Sequence, residues 1–335
     1  MNRLSRYTII GAGALGLLFG CRLAATGFPV ELAVRRVEQL ALLREQGIEI
    51  GSSAEQVEQA PQKLQARPAV IVLEGAMNDR GDYDQEGLET DHYILLTVKQ
   101  TDMTPQLAAL VARLAGSNGV VVCLQNGVGH VELLRSSIPA ERLLVAVTTE
   151  AALRLSDREA LHTGRGETWI GAAVPGIETA VGARLQKKLA EQLELAGFRS
   201  MVSNEITTRV WRKWLVNVCI NPLTAILQVR NGELLQLPHA RELMHRLLAE
   251  ALTVAKASGV KLPADMPQQV EDVCRRTAAN RSSMLQDVLA GRRTEIEAIT
   301  GSLVRLGEQH GLAMTVNRSL YELVRALEER DAPID

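Results

Sequence analysis

Lys213, Asn217 and Asn221 stand four residues apart in the run Trp211-Arg212-Lys213-Trp214-Leu215-Val216-Asn217-Val218-Cys219-Ile220-Asn221-Pro222. This spacing lines the three up along one stripe of a helix whose other positions are mostly apolar. Buried amides need hydrogen-bond partners, and a buried lysine needs a partner or a lowered pKa, so the stripe reads as a cavity wall. An ammonium in a partly dry cavity can polarise a carbonyl and give its proton to the oxygen as hydride arrives at carbon. A solvated helix face, or hydrogen bonding between domains, would use the same residues without chemistry.

A second constellation opens the chain. The apolar run 7–10 leads directly into Gly11-Ala12-Gly13-Ala14-Leu15-Gly16, a GxGxxG pattern at the junction of an expected strand and helix. In that context Gly11 permits the tight turn, Gly13 leaves room for a pyrophosphate beside the backbone, and Gly16 allows close helix–strand packing. The helix start then offers N–H groups to the anion. A merely tight strand-to-helix turn is the plainer alternative. Glu31 lies 20 residues after Gly11 but near the start of the second expected strand, 30–34, whose end carries Arg35 and Arg36. Guanidinium groups there suit the 2'-phosphate of NADPH better than the 2'-hydroxyl of NADH, with either arginine able to serve.

Further polar residues end later elements. The expected strand 93–98 runs into Lys99-Gln100-Thr101-Asp102, and 120–124 into Gln125-Asn126-Gly127-Val128-Gly129. In an open parallel sheet ligands bind outside the carboxyl ends of strands, so Lys99 and Asn126 would face the same crevice as the glycine turn. Asn126-Gly127 is equally a turn dipeptide. Farther on, Asn280-Arg281-Ser282-Ser283 leads to Thr294-Glu295-Ile296, with Glu295 ahead of a helical pattern. A carboxylate there either offsets the helix dipole or accepts a hydrogen bond from a substrate hydroxyl.

The elements that must position these groups follow a simple rhythm. Expected strands at 7–10, 30–34, 69–73, 93–98, 120–124 and 143–148 alternate with helices at 15–25, 37–45 and 104–114. Such alternation implies crossover connections and a doubly wound parallel sheet. Residues 51–92 fit least well and suggest an irregular excursion or a small added strand. Residues 162–171 read as a turn with a short strand, and 180–196 as a helix. From 206 onward long helices follow one another at 206–228, 240–258, 266–290, 293–310 and 315–330. An α/β domain over 1–203 and an all-helical domain over 204–335 result.

Composition sets the outer limits. The 335 residues are 46% hydrophobic and 23% charged, enough for two globular domains. Thirty-seven basic residues against 39 acidic ones leave no basic field for nucleic acid or an anionic membrane. Cys21, Cys123, Cys219 and Cys274 are widely separated, with no metal-ligand spacing, which predicts no metal site and a reducing, cytoplasmic compartment. Arg3 and Arg6 before the apolar run 7–20 imitate a secretory leader, but strand, glycine turn and helix describe that run better. No stretch reaches the ~18 apolar residues of a membrane span. Apolar positions along 303–327 could also serve as an assembly surface, which makes a homodimer one possible form.

As an ordered set, the glycine turn, Val98-Lys99, Gln125-Asn126-Gly127, Lys213 through Asn221-Pro222-Leu223-Thr224, and Ser282 to Asp287 with Thr294-Glu295-Ile296 resemble the ketopantoate reductase family over nearly the whole chain. The resemblance implies an N-terminal Rossmann-type domain, a helical C-terminal domain, an active site in the cleft between them and NADPH as cofactor. It makes Lys213 the general acid and Glu295 the holder of the substrate hydroxyl, close to the cofactor. Asn217, Asn221, Asn280 and Ser283 would orient the substrate. Gly11, Ala12, Gly13, Ala14, Leu15, Gly16, Arg35, Lys99 and Asn126 would meet the cofactor. The implied reaction reduces 2-dehydropantoate to pantoate for pantothenate synthesis. Another small-molecule 2-oxo acid, or a non-catalytic NADPH sensor, are the alternatives.

Overall fold

Strand β1 (Arg6–Ile10) is buried along nearly its whole length because its alternating faces both meet protein. It feeds α1 (Ala14–Ala25), β2 (Val30–Val34) and α2 (Val37–Gln46). The structure, a computed structural model, describes residues 4–52, 63–73, 91–177 and 179–330. The chain continues through β3 (Ile48–Ser52), β4 (Leu64–Ala66), β5 (Ala69–Val72), β6 (His92–Leu96) and α3 (Pro105–Ala115). Then come β7 (Gly119–Cys123), α4 (His130–Arg135), β8 (Leu143–Thr148), β9 (Ala151–Arg154), β10 (Glu159–Gly164) and β11 (Glu167–Ala172). Helix α5 (Ala180–Leu195) and β12 (Arg199–Val202) close the α/β part.

Eight strands form one sheet in the order β12-β11-β8-β7-β6-β1-β2-β5. All neighbours are parallel except β8 and β11. The strand order reverses at β1, which lies between β2 and β6, and this topological switch is where doubly wound sheets bind ligands. A second, mixed sheet, β4-β3-β10-β9, was not expected from the sequence. Helix α1 packs against strands of both sheets. This explains why Leu17, Leu18, Phe19, Cys21 and Leu23 are all buried and why the helix lacks a polar face. The apolar run 7–20 is thus strand β1, the glycine turn and the first part of α1.

By its contacts the chain divides into a unit of residues up to 125 with 130–206, and a unit of 126–129 with residues from 207 onward. The second unit is helical: α6 (Ile206–Leu227), α7 (Pro238–Ala257), α8 (Met266–Arg276), α9 (Ser283–Leu289), α10 (Ser302–Gln309) and α11 (Thr315–Arg330). Its core gathers Trp214, Leu215, Val218 and Cys219 of α6, Leu247 and Val254 of α7, and Val270 and Cys274 of α8. Glu250 of α7 fixes the start of α11 by accepting from the backbone N–H groups of Val316 and Asn317, both at 2.9 Å. The expected continuous helix over 266–290 is two helices. Ser282 caps the second one through its hydroxyl, which accepts from Leu285 N at 3.1 Å. The expected helix from 293 begins later, with a π-helical turn, Glu297–Gly301, ahead of α10.

Among the described residues no helix is long and apolar enough to cross a membrane. Leu303, Leu320 and Val324 lie in the helical core, which leaves Leu323 as the exposed leucine of that apolar stretch.

Candidate active site

The glycine turn is built by contacts that only glycine satisfies at two positions. Gly11 has φ +107°, and a Cβ there would lie 2.9 Å from the backbone nitrogen of Val98, just after β6. A Cβ on Gly16 would sit 1.8 Å from the Gly11 carbonyl oxygen. That carbonyl already accepts from the Thr97 hydroxyl at 2.7 Å, so the turn is stitched to the neighbouring strand. Gly13 differs: nothing lies within 4 Å of the position its Cβ would take. It is also the N-cap of α1, with no capping side chain and no acidic residue in the first turn. Open space in front of an uncapped helix start fits an anionic diphosphate, and Gly11 to Gly16 would hold it.

Arg35 and Arg36 follow β2 directly, as expected, and each meets a carboxylate. Arg35 pairs with Asp102 at 3.1 Å and Arg36 with Asp157 at 2.5 Å. Glu31 pairs with Thr8 in the middle of the sheet, away from the strand's end. Lys99 is half-buried and precedes the 3-10 turn Gln100–Asp102. Strand β6 stops at Leu96, two residues short of the expected end, because Thr97 and Val98 are occupied with the glycine turn.

In the helical unit, α6 presents Lys213, Asn217 and Asn221 at the expected spacing, opposite its core face. Asn221 is buried, while Lys213 and Asn217 are half-buried. Pro222 lacks an N–H, so the Val218 carbonyl loses its helical donor one turn below. Burial pushes the Lys213 pKa down to about 8, and the Glu295 carboxylate acts in the opposite direction. Glu295 is itself buried and accepts from Asn126 Nδ2 at 3.4 Å. The structure thus brings Lys213, Glu295 and Asn126 together, although they come from three distant segments.

Two clamps missed in the sequence hold Glu295 in place. Glu328 of α11 accepts from both the backbone N–H and the hydroxyl of Thr294, each at 2.7 Å. On the other side Trp214 of α6 donates from Nε1 to the Ile299 carbonyl at 2.9 Å, inside the π-helical turn. Trp214 is one residue from Lys213, so α6 sets the positions of both the ammonium and the carboxylate. Ser282 is another residue the sequence left aside: its hydroxyl lies 2.7 Å from that of Thr224, a buried link between α9 and α6. Ser283 and Asn280, by contrast, are exposed.

All four thiols are buried, and burial raises the pKa of each, so none is a ready nucleophile. No group of His, Cys, Asp and Glu among the described residues could hold a metal ion.

Comparison with known proteins gives this arrangement a family. Residues 7–175 match the family described as Ketopantoate reductase PanE/ApbA, and residues 205–328 match its C-terminal domain. The chain belongs to the ketopantoate reductase family. It is 34% identical over 326 residues to a 2-dehydropantoate 2-reductase of Archaeoglobus fulgidus, covering 97% of this chain and 99% of the relative. A PanE/ApbA family ketopantoate reductase from Ralstonia eutropha superposes with a TM-score of 0.81 at 27% identity, covering 97% of this chain and 99% of that one. D-mandelate dehydrogenase in complex with NADH gives 0.83 at 25% identity, covering 98% and 100%. The chain thus carries the Rossmann-like fold and helical C-terminal domain of an oxidoreductase family.

Proposed function

We propose that this ketopantoate reductase family member reduces 2-dehydropantoate to pantoate with NADPH, with Lys213 as general acid. The observation that carries the reading is the half-buried Lys213 beside the buried Glu295 carboxylate that supports its charge, which Asn126 in turn hydrogen-bonds. NADPH, when bound, supplies hydride to the keto carbon. Lys213 stabilises the negative charge growing on the keto oxygen and gives it a proton, so the C=O becomes CH–OH. With its pKa near 8 the lysine is mostly protonated at neutral pH and still a better acid than an exposed lysine. Glu295 accepts from the substrate hydroxyl and keeps Lys213 charged. Asn217, Asn221, Asn280 and Ser283 orient the substrate's carboxylate and hydroxyl.

The cofactor roles divide along the same lines. The turn from Gly11 to Gly16 takes the diphosphate, Arg35 the 2'-phosphate, and Lys99, Asn126 and Glu295 the rest of the dinucleotide. Support comes from the open space at Gly13, the uncapped start of α1 and the arginines at the end of β2. The four buried thiols support a reducing, cytoplasmic setting. We also propose a homodimer, which sedimentation would reject by a strict monomer at high concentration.

The test follows NADPH absorbance with 2-dehydropantoate for wild type and Lys213→Ala. Fast turnover by wild type and a loss on the order of a hundredfold or more in the variant are expected. Wild type that oxidises no NADPH with this substrate refutes the substrate assignment. A second reading, reduction of another 2-oxo acid, draws on the likeness to D-mandelate dehydrogenase, and a keto-acid panel with both NADPH and NADH separates the two.

A further inference from the structure

The arginines after β2 are the residues by which the proposed function chooses between NADPH and NADH, and each already holds a carboxylate. The two pairs are not equivalent. Asp157 receives Arg36 and Arg154 together. Its backbone carbonyl accepts from Gln39 Nε2 at 2.8 Å, the same amide that reaches the Ala12 carbonyl of the glycine turn at 3.3 Å. Asp157 is thus a strut of the frame. Asp102 instead ends the short 3-10 turn Gln100–Asp102 and lies against the outer edge of Arg35, with NH1 and NH2 on its two oxygens at 3.1 and 3.4 Å. The Arg35 side chain is 69% exposed and that of Asp102 31%, so this pair faces solvent and can open.

A guanidinium fork meets a carboxylate and a phosphate through the same pair of parallel N–H bonds. A 2'-phosphate reaching for Arg35 must therefore displace Asp102 or share the fork with it, and it meets a like charge in doing so. A 2'-hydroxyl meets no such opposition. Arg35, Arg36 and Arg154 against Asp102 and Asp157 leave one net positive charge at this corner, and neutralising Asp102 would leave two. Resting on the dinucleotide reading above, we propose that Asp102 is a specificity-determining residue whose carboxylate competes with the 2'-phosphate for Arg35 and narrows the preference for NADPH over NADH.

The test is direct fluorescence titration of NADPH and of NADH, without substrate, onto wild type, Asp102→Asn, Arg35→Ala and the double variant. Asn keeps the size of Asp and removes its charge. The expected result for Asp102→Asn is NADPH binding about tenfold tighter, the scale of one surface contact between a carboxylate and a divalent phosphate, with NADH within about twofold of wild type. High salt should shrink the gain. In the Arg35→Ala background it should fall below about threefold, because the contested fork is gone. An NADPH-to-NADH affinity ratio that stays level in Asp102→Asn overturns the proposal. A falling ratio overturns it too, since Asp102 would then be positioning Arg35 for the phosphate. Wild type that binds neither dinucleotide overturns the cofactor reading itself, and this proposal with it.

Discussion

Replacing Lys213 by Met keeps most of the reach of the side chain and removes its charge, and the structure predicts opposite effects on activity and stability. Burial lowers the lysine pKa from 10.5 to about 8. At ~1.4 kcal/mol per decade this is a cost to the folded state of about 3 kcal/mol wherever the lysine is charged in both states. Lys213 keeps some contact with solvent, so about half that, ~1.5 kcal/mol, is the expected gain for Lys213→Met at pH 7. The sign follows from linkage. Below pH 8 folded and unfolded lysine both carry a proton and the folded form bears the burial cost. Between 8 and 10.5 the folded lysine loses its proton first and the cost declines. Above 10.5 both forms are neutral and it is gone. Urea titrations of both proteins at pH 7 and pH 10 measure the difference, and turnover of the variant should drop at least a hundredfold. Equal stabilities at pH 7, or an advantage for Met that is as large at pH 10, would refute the burial cost.

Glu295→Gln removes the charge that supports the Lys213 ammonium, so the alkaline limb of the kcat/KM profile should move below about pH 8; a limb that stays in place contradicts the pairing. Gly13→Ala and Gly16→Ala should separate binding from folding: Ala fits at Gly13 in the ligand-free fold but weakens dinucleotide binding, whereas at Gly16 it collides with the Gly11 carbonyl and lowers the melting temperature. Ser282→Ala should cost about 1–2 kcal/mol in urea, through the lost cap and the Thr224 contact. Ser283→Ala should change stability by less than about 0.5 kcal/mol and raise KM for the keto acid.

The parallel strands and the glycine turn could be read from the sequence because both are local: a run of β-branched residues and a GxGxxG pattern each carry their meaning within about ten residues. Strand β2 has the expected bounds, and the arginines that follow it fall at the expected place. The second sheet lacks this property. Strands β3, β4 and β9 are three to five residues long. Strand β3 is held by the distant β10, β4 pairs with β3, and β9 forms a hairpin with β10, so the sheet rests on the one long-range pairing of β3 with β10. Short apolar runs of this kind carry no period of their own, so only tertiary pairing separates them from loop. The break between α8 and α9 was hidden for a related reason. Val270, Val273 and Cys274 before it and Met284, Leu285 and Val288 after it both keep helical spacing, while the signal for a new helix is one serine whose value depends on the backbone being extended there.

The same distinction governs the site. Lys213, Asn217 and Asn221 share a stripe because helix geometry dictates it, and their spacing alone could show that. Glu295 could not be assigned from its neighbourhood, since a carboxylate ahead of a helix most often serves the helix dipole. Its surroundings are non-local: Asn126 lies 169 residues earlier, and the clamps from Trp214 and Glu328 reach across 85 and 34 residues. The adjacent serines make the point most sharply. Ser282 turns inward to cap α9 and meet Thr224, while Ser283, one residue on, faces solvent. Nothing in their identity separates them. The start of α9 and Thr224 occupy the Ser282 hydroxyl and give that serine a structural role, so Ser283 is the exposed one of the two and the one to which the proposed function gives the substrate.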